Sequence, residues 1–89
     1  MALPSLTLRL LRAKMRIDSL VPGTEVTLDF GHYTETAKFL SLRGGGVERT
    51  ASFKSTDTDG REYEWEAYRY QGHWVYGTSA DRLRLVKVN

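Results

Sequence analysis

The chain has 89 residues, 13 Lys and Arg against 11 Asp and Glu, a net charge of +2, 40% hydrophobic residues and no cysteine. That length excludes two domains, the missing thiols exclude a disulfide framework and thiolate metal sites and fit a reducing, cytoplasmic compartment, and no apolar run reaches the ~18 residues of a membrane-spanning helix. A charge of +2 does not by itself mark a nucleic-acid binder, and a core this small must draw on nearly every large apolar side chain.

Residues 1–17 contain Arg9, Arg12, Lys14 and Arg16 and no acid. Leu3, Leu6, Leu10, Ala13, Ile17 and Leu20 fall on one helical stripe with Arg9, Arg12 and Arg16 opposite, which predicts an amphipathic α-helix over residues 1–20. The alternation of Leu6, Leu8 and Leu10 also fits a strand, but the scarcity of β-branched residues favours helix. Pro4 and Ser5 suit its first turn, and Val21-Pro22-Gly23 ends it, because the residue before proline avoids the helical region. A second apolar group, Leu8, Leu11 and Met15, lies off the main stripe and predicts self-association as a homodimer.

Beyond Gly23 the composition turns to Val, Thr, Tyr, Phe, Trp and Gly, and short strands are expected. Residues 24–30 alternate, with Val26, Leu28 and Phe30 inward. Over residues 34–42, Ala37 and Phe39 share one face while Leu40 and Leu42 take the other, the pattern of a bent or bulged strand. Gly44-Gly45-Gly46 is a turn, residues 47–54 are a strand with Val47, Ala51 and Phe53 inward, and residues 55–60 are a polar turn. Residues 61–70 and 73–76 form a hairpin about Gln71-Gly72, residues 79–82 one helical turn, and residues 83–88 the last strand.

This spacing predicts an all-β, five-stranded barrel with an N-terminal α-helix, residues 1–20 forming a basic arm and residues 21–89 the barrel. The phrase Ile17-Asp18-Ser19-Leu20-Val21-Pro22-Gly23-Thr24-Glu25-Val26 resembles the opening of SH3-like barrels, in which Leu-x-Pro-Gly-x-x-Val leads into the first strand. Trp74 to Val88 is similar to the aromatic strand, short 3₁₀ turn and closing strand of that fold. The resemblance implies an architecture that serves many functions. The nucleic-acid-binding KOW group of such barrels carries a second glycine shortly after the turn that follows the first strand, where this chain has Gly31 and then His32-Tyr33-Thr34-Glu35-Thr36-Ala37. The chain also resembles, in size and fold, the plasmid-type dihydrofolate reductases, whose active site forms only in a tetramer. Their Val-Gln-Ile-Tyr strand meets His73-Trp74-Val75-Tyr76 here and matches at Tyr76.

Catalytic chemistry has few candidates. His32 and His73 do not lie at a metal-ligand spacing, the glycine run lacks the Lys-Ser/Thr and helix of a phosphate loop, and Asp57, Asp59 and Gly60 lack the closing Glu of a calcium loop. The expectation is a binding module that is not an enzyme and carries no cofactor. Its most informative feature is the aromatic hairpin. A two-residue turn at Gln71-Gly72 opposes Tyr70 to His73, Arg69 to Trp74, Tyr68 to Val75 and Ala67 to Tyr76. Alternation then assigns Tyr63, Trp65, Ala67, Trp74 and Tyr76 to the core and leaves Tyr68, Tyr70, His73 and Val75 outside, beside Glu62, Glu64 and Glu66.

Exposed tyrosines on rigid strands offer large contact area with little entropy to lose, so Tyr68, Tyr70, His73, Glu64 and Glu66 are the partner-binding candidates, for a protein or peptide whose basic groups meet the acids. The alternative is a nucleic-acid-binding accessory protein, with Arg9, Arg12, Arg16, Arg82 and Arg84 neutralising phosphates and the tyrosines stacking on bases. The acid row favours the protein partner, because it repels phosphate where stacking must occur.

Overall fold

The computed structural model describes residues 16–45, 48–77 and 81–89. The expected N-terminal helix falls mostly on residues outside these, as do Arg9, Arg12 and the group Leu8, Leu11 and Met15. Its last turn is corrected: Arg16 is extended, Ile17–Ser19 form a single 3₁₀ turn, and Leu20 is extended again. Pro22 holds Val21 out of the helical region, and Ile17 packs into the core cluster, so the chain makes one tight turn and enters the sheet. Among the described residues no helix is long and apolar enough to cross a membrane.

The rest is all-β. The strands are β1 (Glu25–Asp29), β2 (Thr34–Arg43), β3 (Thr50–Thr56), β4 (Glu62–Tyr70), β5 (His73–Tyr76), β6 (Asp81–Arg82) and β7 (Arg84–Val88). They make one curled antiparallel sheet, a half-barrel, in the order β6-β5-β4-β3-β2-β1-β7. Sequence neighbours pair from β1 to β6, and β7 returns to the free side of β1. Asp81 and Arg82, expected in a helical turn, are strand residues instead, paired with Tyr76 and Val75. Between β6 and β7 the Leu83 N–H donates to the Trp74 carbonyl at 2.9 Å, so the stretch 81–88 bonds to both ends of the sheet. The stretch thus covers the outer side of β5 and of β1, and β6 and β7 are themselves the two edges of the sheet.

The β4–β5 hairpin has the expected register, Tyr70 opposite His73, Arg69 opposite Trp74 and Tyr68 opposite Val75. Gln71 and Gly72 both take positive φ, 49° and 80°, as the two central residues of a type I′ turn do, a turn whose twist matches that of the flanking strands. In β2 the register against β3 shifts between Phe39 and Ser41, so Leu40 is the extra residue of a bulge. That bulge brings Leu42 opposite Ala51 at the rim of the sheet, where it is exposed.

Inward alternation builds the core. Val26, Leu28 and Phe30 come from the first strand and its exit, Ala37 and Phe39 from β2, Ala51 and Phe53 from β3, Trp65 and Ala67 from β4, Trp74 from β5, and Leu83 from the link before β7. Phe39 and Phe53 are among the largest fully buried side chains and pack edge to face with centroids 5.6 Å apart. Each contributes about 1.5–3 kcal/mol relative to an exposed position.

Candidate functional site

The outer face of the hairpin holds the residues expected to bind a partner, though in a different state from the expectation. Glu62, Glu64, Glu66, Tyr68 and Tyr70 alternate outward along β4 and are exposed, with His73 exposed opposite Tyr70. Much of the acidic row is already neutralised: Arg43 pairs with Glu66, and Lys54 Nζ lies 2.6 Å from Glu62 Oε2. Arg82 Nη2 donates to His73 Nε2 at 3.0 Å. Val75, expected outside, is only 2% exposed. Its cross-strand partner Tyr68 donates its hydroxyl to the Gly77 carbonyl at 3.0 Å, so this tyrosine is tethered along β5 while one side of it stays in solvent. Tyr70, 52% exposed, is the free ring of the pair.

A second region lies beside the 3₁₀ turn. The Asp18 carboxylate accepts hydrogen bonds from Trp74 Nε1 at 3.0 Å and from Arg49 Nη1, while Arg69 Nη1 stands 3.8 Å away with its guanidinium over the Trp74 ring. Burial pushes the Asp18 carboxyl up, but the bonds from Trp74 and Arg49 and the charges of Arg69 and Arg49 outweigh it and hold the pKa below the ordinary carboxylate value. Arg16, Arg69 and Arg84 line a cleft of about 460 Å³ with Trp74 and Leu83, and among the described residues Asp18 is its one acid. Of the expected arginine stripe, Arg16 and Arg84 meet in this cleft. Arg82 stands in a neighbouring recess, which Arg84 also lines, beside Asp29 and His32.

The third region is an aromatic mouth. Phe30 follows β1, and its N–H donates to the Tyr33 carbonyl at 2.9 Å, closing a turn in which Asp29 Oδ1 also accepts the Gly31 N–H. This turn lays the Tyr33 ring on Phe30, centroids 5.0 Å apart and planes 9° from parallel. Phe30 packs against Trp65 at 5.5 Å and Tyr76 at 5.7 Å, and Trp65 meets Tyr76 at 4.9 Å and Phe53 at 4.7 Å. Trp65 Nε1 donates to the buried Ser55 Oγ at 2.8 Å, which fixes the indole in its plane. Tyr63 donates its hydroxyl to Glu35 Oε1 at 2.8 Å. That bond, then partial burial and the carboxylate charge, raise the Tyr63 pKa.

Phe30, Tyr33, Glu35, Tyr63, Trp65 and Tyr76 line a cavity of about 50 Å³ that is half open to solvent. Tyr63 and Tyr76, expected in the core, are 40% and 38% exposed, and Tyr33 is 55% exposed. Alternation does aim Tyr63 and Tyr76 inward, but they sit at the ends of β4 and β5, where the sheet runs out of neighbours to cover them. Tyr33 and Glu35 were not singled out from sequence. The available signal was parity: Glu35 shares the inward parity of Ala37 and Phe39 and pairs with buried Leu28, an unusual place for an acid.

No protein family, curated protein or solved structure matches this chain.

Proposed function

We propose that the curled sheet is an SH3-like barrel working as a non-catalytic binding module, and that it recognises a protein or peptide through the aromatic mouth. One observation carries this reading: three partly exposed tyrosines from three separate parts of the chain converge on one cavity, braced by the buried Phe30 and Trp65. Rings held by packing lose little entropy on binding, and aromatic anchors beside a small cavity are the arrangement found at the centre of protein interfaces. Tyr70 and His73 on the hairpin's outer face add a second contact surface, with Glu64 and Glu66 at its border. The architecture is supported by the consecutive antiparallel strands and by the stretch 81–88 bonding to both ends of the sheet.

The test is selection of binders from a displayed random-peptide library on the unaltered protein, followed by rebinding to Tyr33→Leu. Tyr33 is exposed, so this change removes one face of the cavity and replaces the ring stacked on Phe30 by a smaller aliphatic cover. The reading expects enriched peptides to lose most of their binding to the variant. Peptides indifferent to Tyr33→Leu would place recognition elsewhere.

The arginine cleft favours a second reading, nucleic-acid binding, because Arg16, Arg69 and Arg84 surround one indole and face a single acid. A titration of mixed DNA and RNA fragments at rising salt tests it: affinity should fall steeply with salt, and absence of binding at low salt removes this reading.

A further inference from the structure

The walls of the mouth specify the chemistry of what enters it. Tyr33, Tyr63 and Tyr76 line it with partly exposed aromatic rings, backed by the buried Phe30 and Trp65, and the π system of such rings carries partial negative charge. Glu35 adds a formal negative charge at the same wall, and among the described residues no Lys, Arg or His forms an ion pair with it. An anionic group is therefore repelled. A neutral aliphatic group would cover a charged carboxylate without giving a donor to the oxygen that Tyr63 does not bond, which costs free energy. A cation satisfies both the rings and the acid.

Size and hydrogen bonding narrow the class further. A single water needs about 10–15 Å³ of such space, so a recess of about 50 Å³ takes a group of roughly four heavy atoms, the tip of one side chain. An unmodified lysine ammonium carries three N–H donors, and ring faces replace its water poorly. Glu35 Oε1 already accepts from Tyr63, which leaves Oε2 as the carboxylate atom to meet one donor. A dimethylated lysine has one N–H and two methyl groups. We infer that the mouth formed by Phe30, Tyr33, Tyr63, Trp65 and Tyr76 receives a methylated lysine side chain of a peptide, its methyl groups on the rings and its N–H on Glu35. This deepens, and rests on, the reading of the mouth as the recognition site.

The experiment is an NMR titration of the whole chain, following backbone amides and the indole N–H signals, with two probes. One is N-acetyl-dimethyllysine amide; the other is its neutral isostere, in which carbon replaces the charged nitrogen. The expected result is saturable shifts confined to the surroundings of Tyr33, Glu35, Tyr63, Trp65 and Tyr76, with the isostere binding about tenfold more weakly. Glu35→Gln keeps a carbonyl to accept from Tyr63 and removes only the charge. It should weaken dimethyllysine binding severalfold while leaving the melting temperature in place, and Tyr33→Leu should weaken it as well.

Equal affinity for the isostere, or unchanged affinity in Glu35→Gln, overturns the assignment of a cation. No saturable shift at the mouth overturns it too. Failure of the two readings is separable: if library-selected peptides depend on Tyr33 but contain no lysine and dimethyllysine does not bind, the recognition site stands and the cation falls. If selected peptides ignore Tyr33→Leu as well, both fall.

Discussion

Ser55→Ala isolates the hydrogen bond that orients the aromatic mouth. Ser55 is 3% exposed, and its hydroxyl oxygen accepts Trp65 Nε1–H at 2.8 Å, an indole already packed between Phe53 and Tyr76. Removing the hydroxyl strands a buried donor, at a cost of about 1–2 kcal/mol. For a domain of 60–100 residues each kcal/mol shifts the melting temperature by about 4–8 °C, so a fall of about 4–16 °C is expected. Trp65→Phe removes the donor itself, along with part of the ring contact. In that background Ser55→Ala should cost clearly less, because no indole N–H is left to strand and only the hydroxyl's bond to Tyr63 is lost. The assay is thermal and urea denaturation of the four proteins followed by far-UV circular dichroism. If Ser55→Ala costs the same with and without Trp65→Phe, the bond contributes nothing and the indole is held by packing alone.

Other expectations come from the loop, the acid beside the 3₁₀ turn and the hairpin face. A Cβ on Gly44 would lie 2.5 Å from the Glu48 carbonyl oxygen at a φ of +75°, whereas one on Gly45 meets nothing within 4 Å. Thermal melts should therefore show Gly44→Ala losing about 1–3 kcal/mol and Gly45→Ala changing little. The Asp18 carboxyl has a lowered folded pKa, so its contribution is complete above its unfolded value near ~4 and is lost as pH falls through the folded one. Asp18→Asn should flatten the acid limb of a plot of stability against pH, and an unchanged limb would refute the linkage. Tyr68→Ser should destabilise by about 1–2 kcal/mol through loss of the bond to Gly77 and of cover for Val75, while Tyr70→Ser stays within about 0.5 kcal/mol by the same melts.

Period-two alternation made the strands, the bulge at Leu40 and the hairpin register legible, because each rests on local rules: side chains alternate, Gln71-Gly72 fixes a two-residue turn, and a broken alternation needs an extra residue. The burial of Trp65 and Trp74 followed from that register. What alternation cannot show is where along a strand burial stops. Tyr63 and Tyr76 point inward as expected, but only the lengths and ends of neighbouring strands decide that they open onto solvent. Val75 fails in the opposite sense, since it points outward and is covered by a cross-strand tyrosine whose hydroxyl finds a backbone acceptor. The Asp18 cluster is a tertiary product, joining residues 18, 49, 69 and 74, and no spacing announces it. Pro22 is legible as a stop signal, yet the stretch before it shows how a stripe of apolar residues matched to a helix can end in one 3₁₀ turn that gives Ile17 to the core with Leu20 packed against it.

The pairing of β7 with β1 sets a timetable for synthesis. Hairpins β1–β2 through β4–β5 join neighbours in the chain and can zip as each strand leaves the ribosome, but β1 waits for a partner that ends at Val88, opposite Val26. At about 5–20 residues per second the outer side of β1 stays uncovered for several seconds after its own synthesis, a row of bare amides and carbonyls beside the apolar Val26 and Leu28. The alternating Glu25, Thr27 and Asp29 on the other face put charge on the strand throughout that interval, which discourages a second nascent chain from adding to it. Shifting those charges inward, or neutralising them, would be felt first in the yield of folded protein and only afterwards in the stability of what had folded.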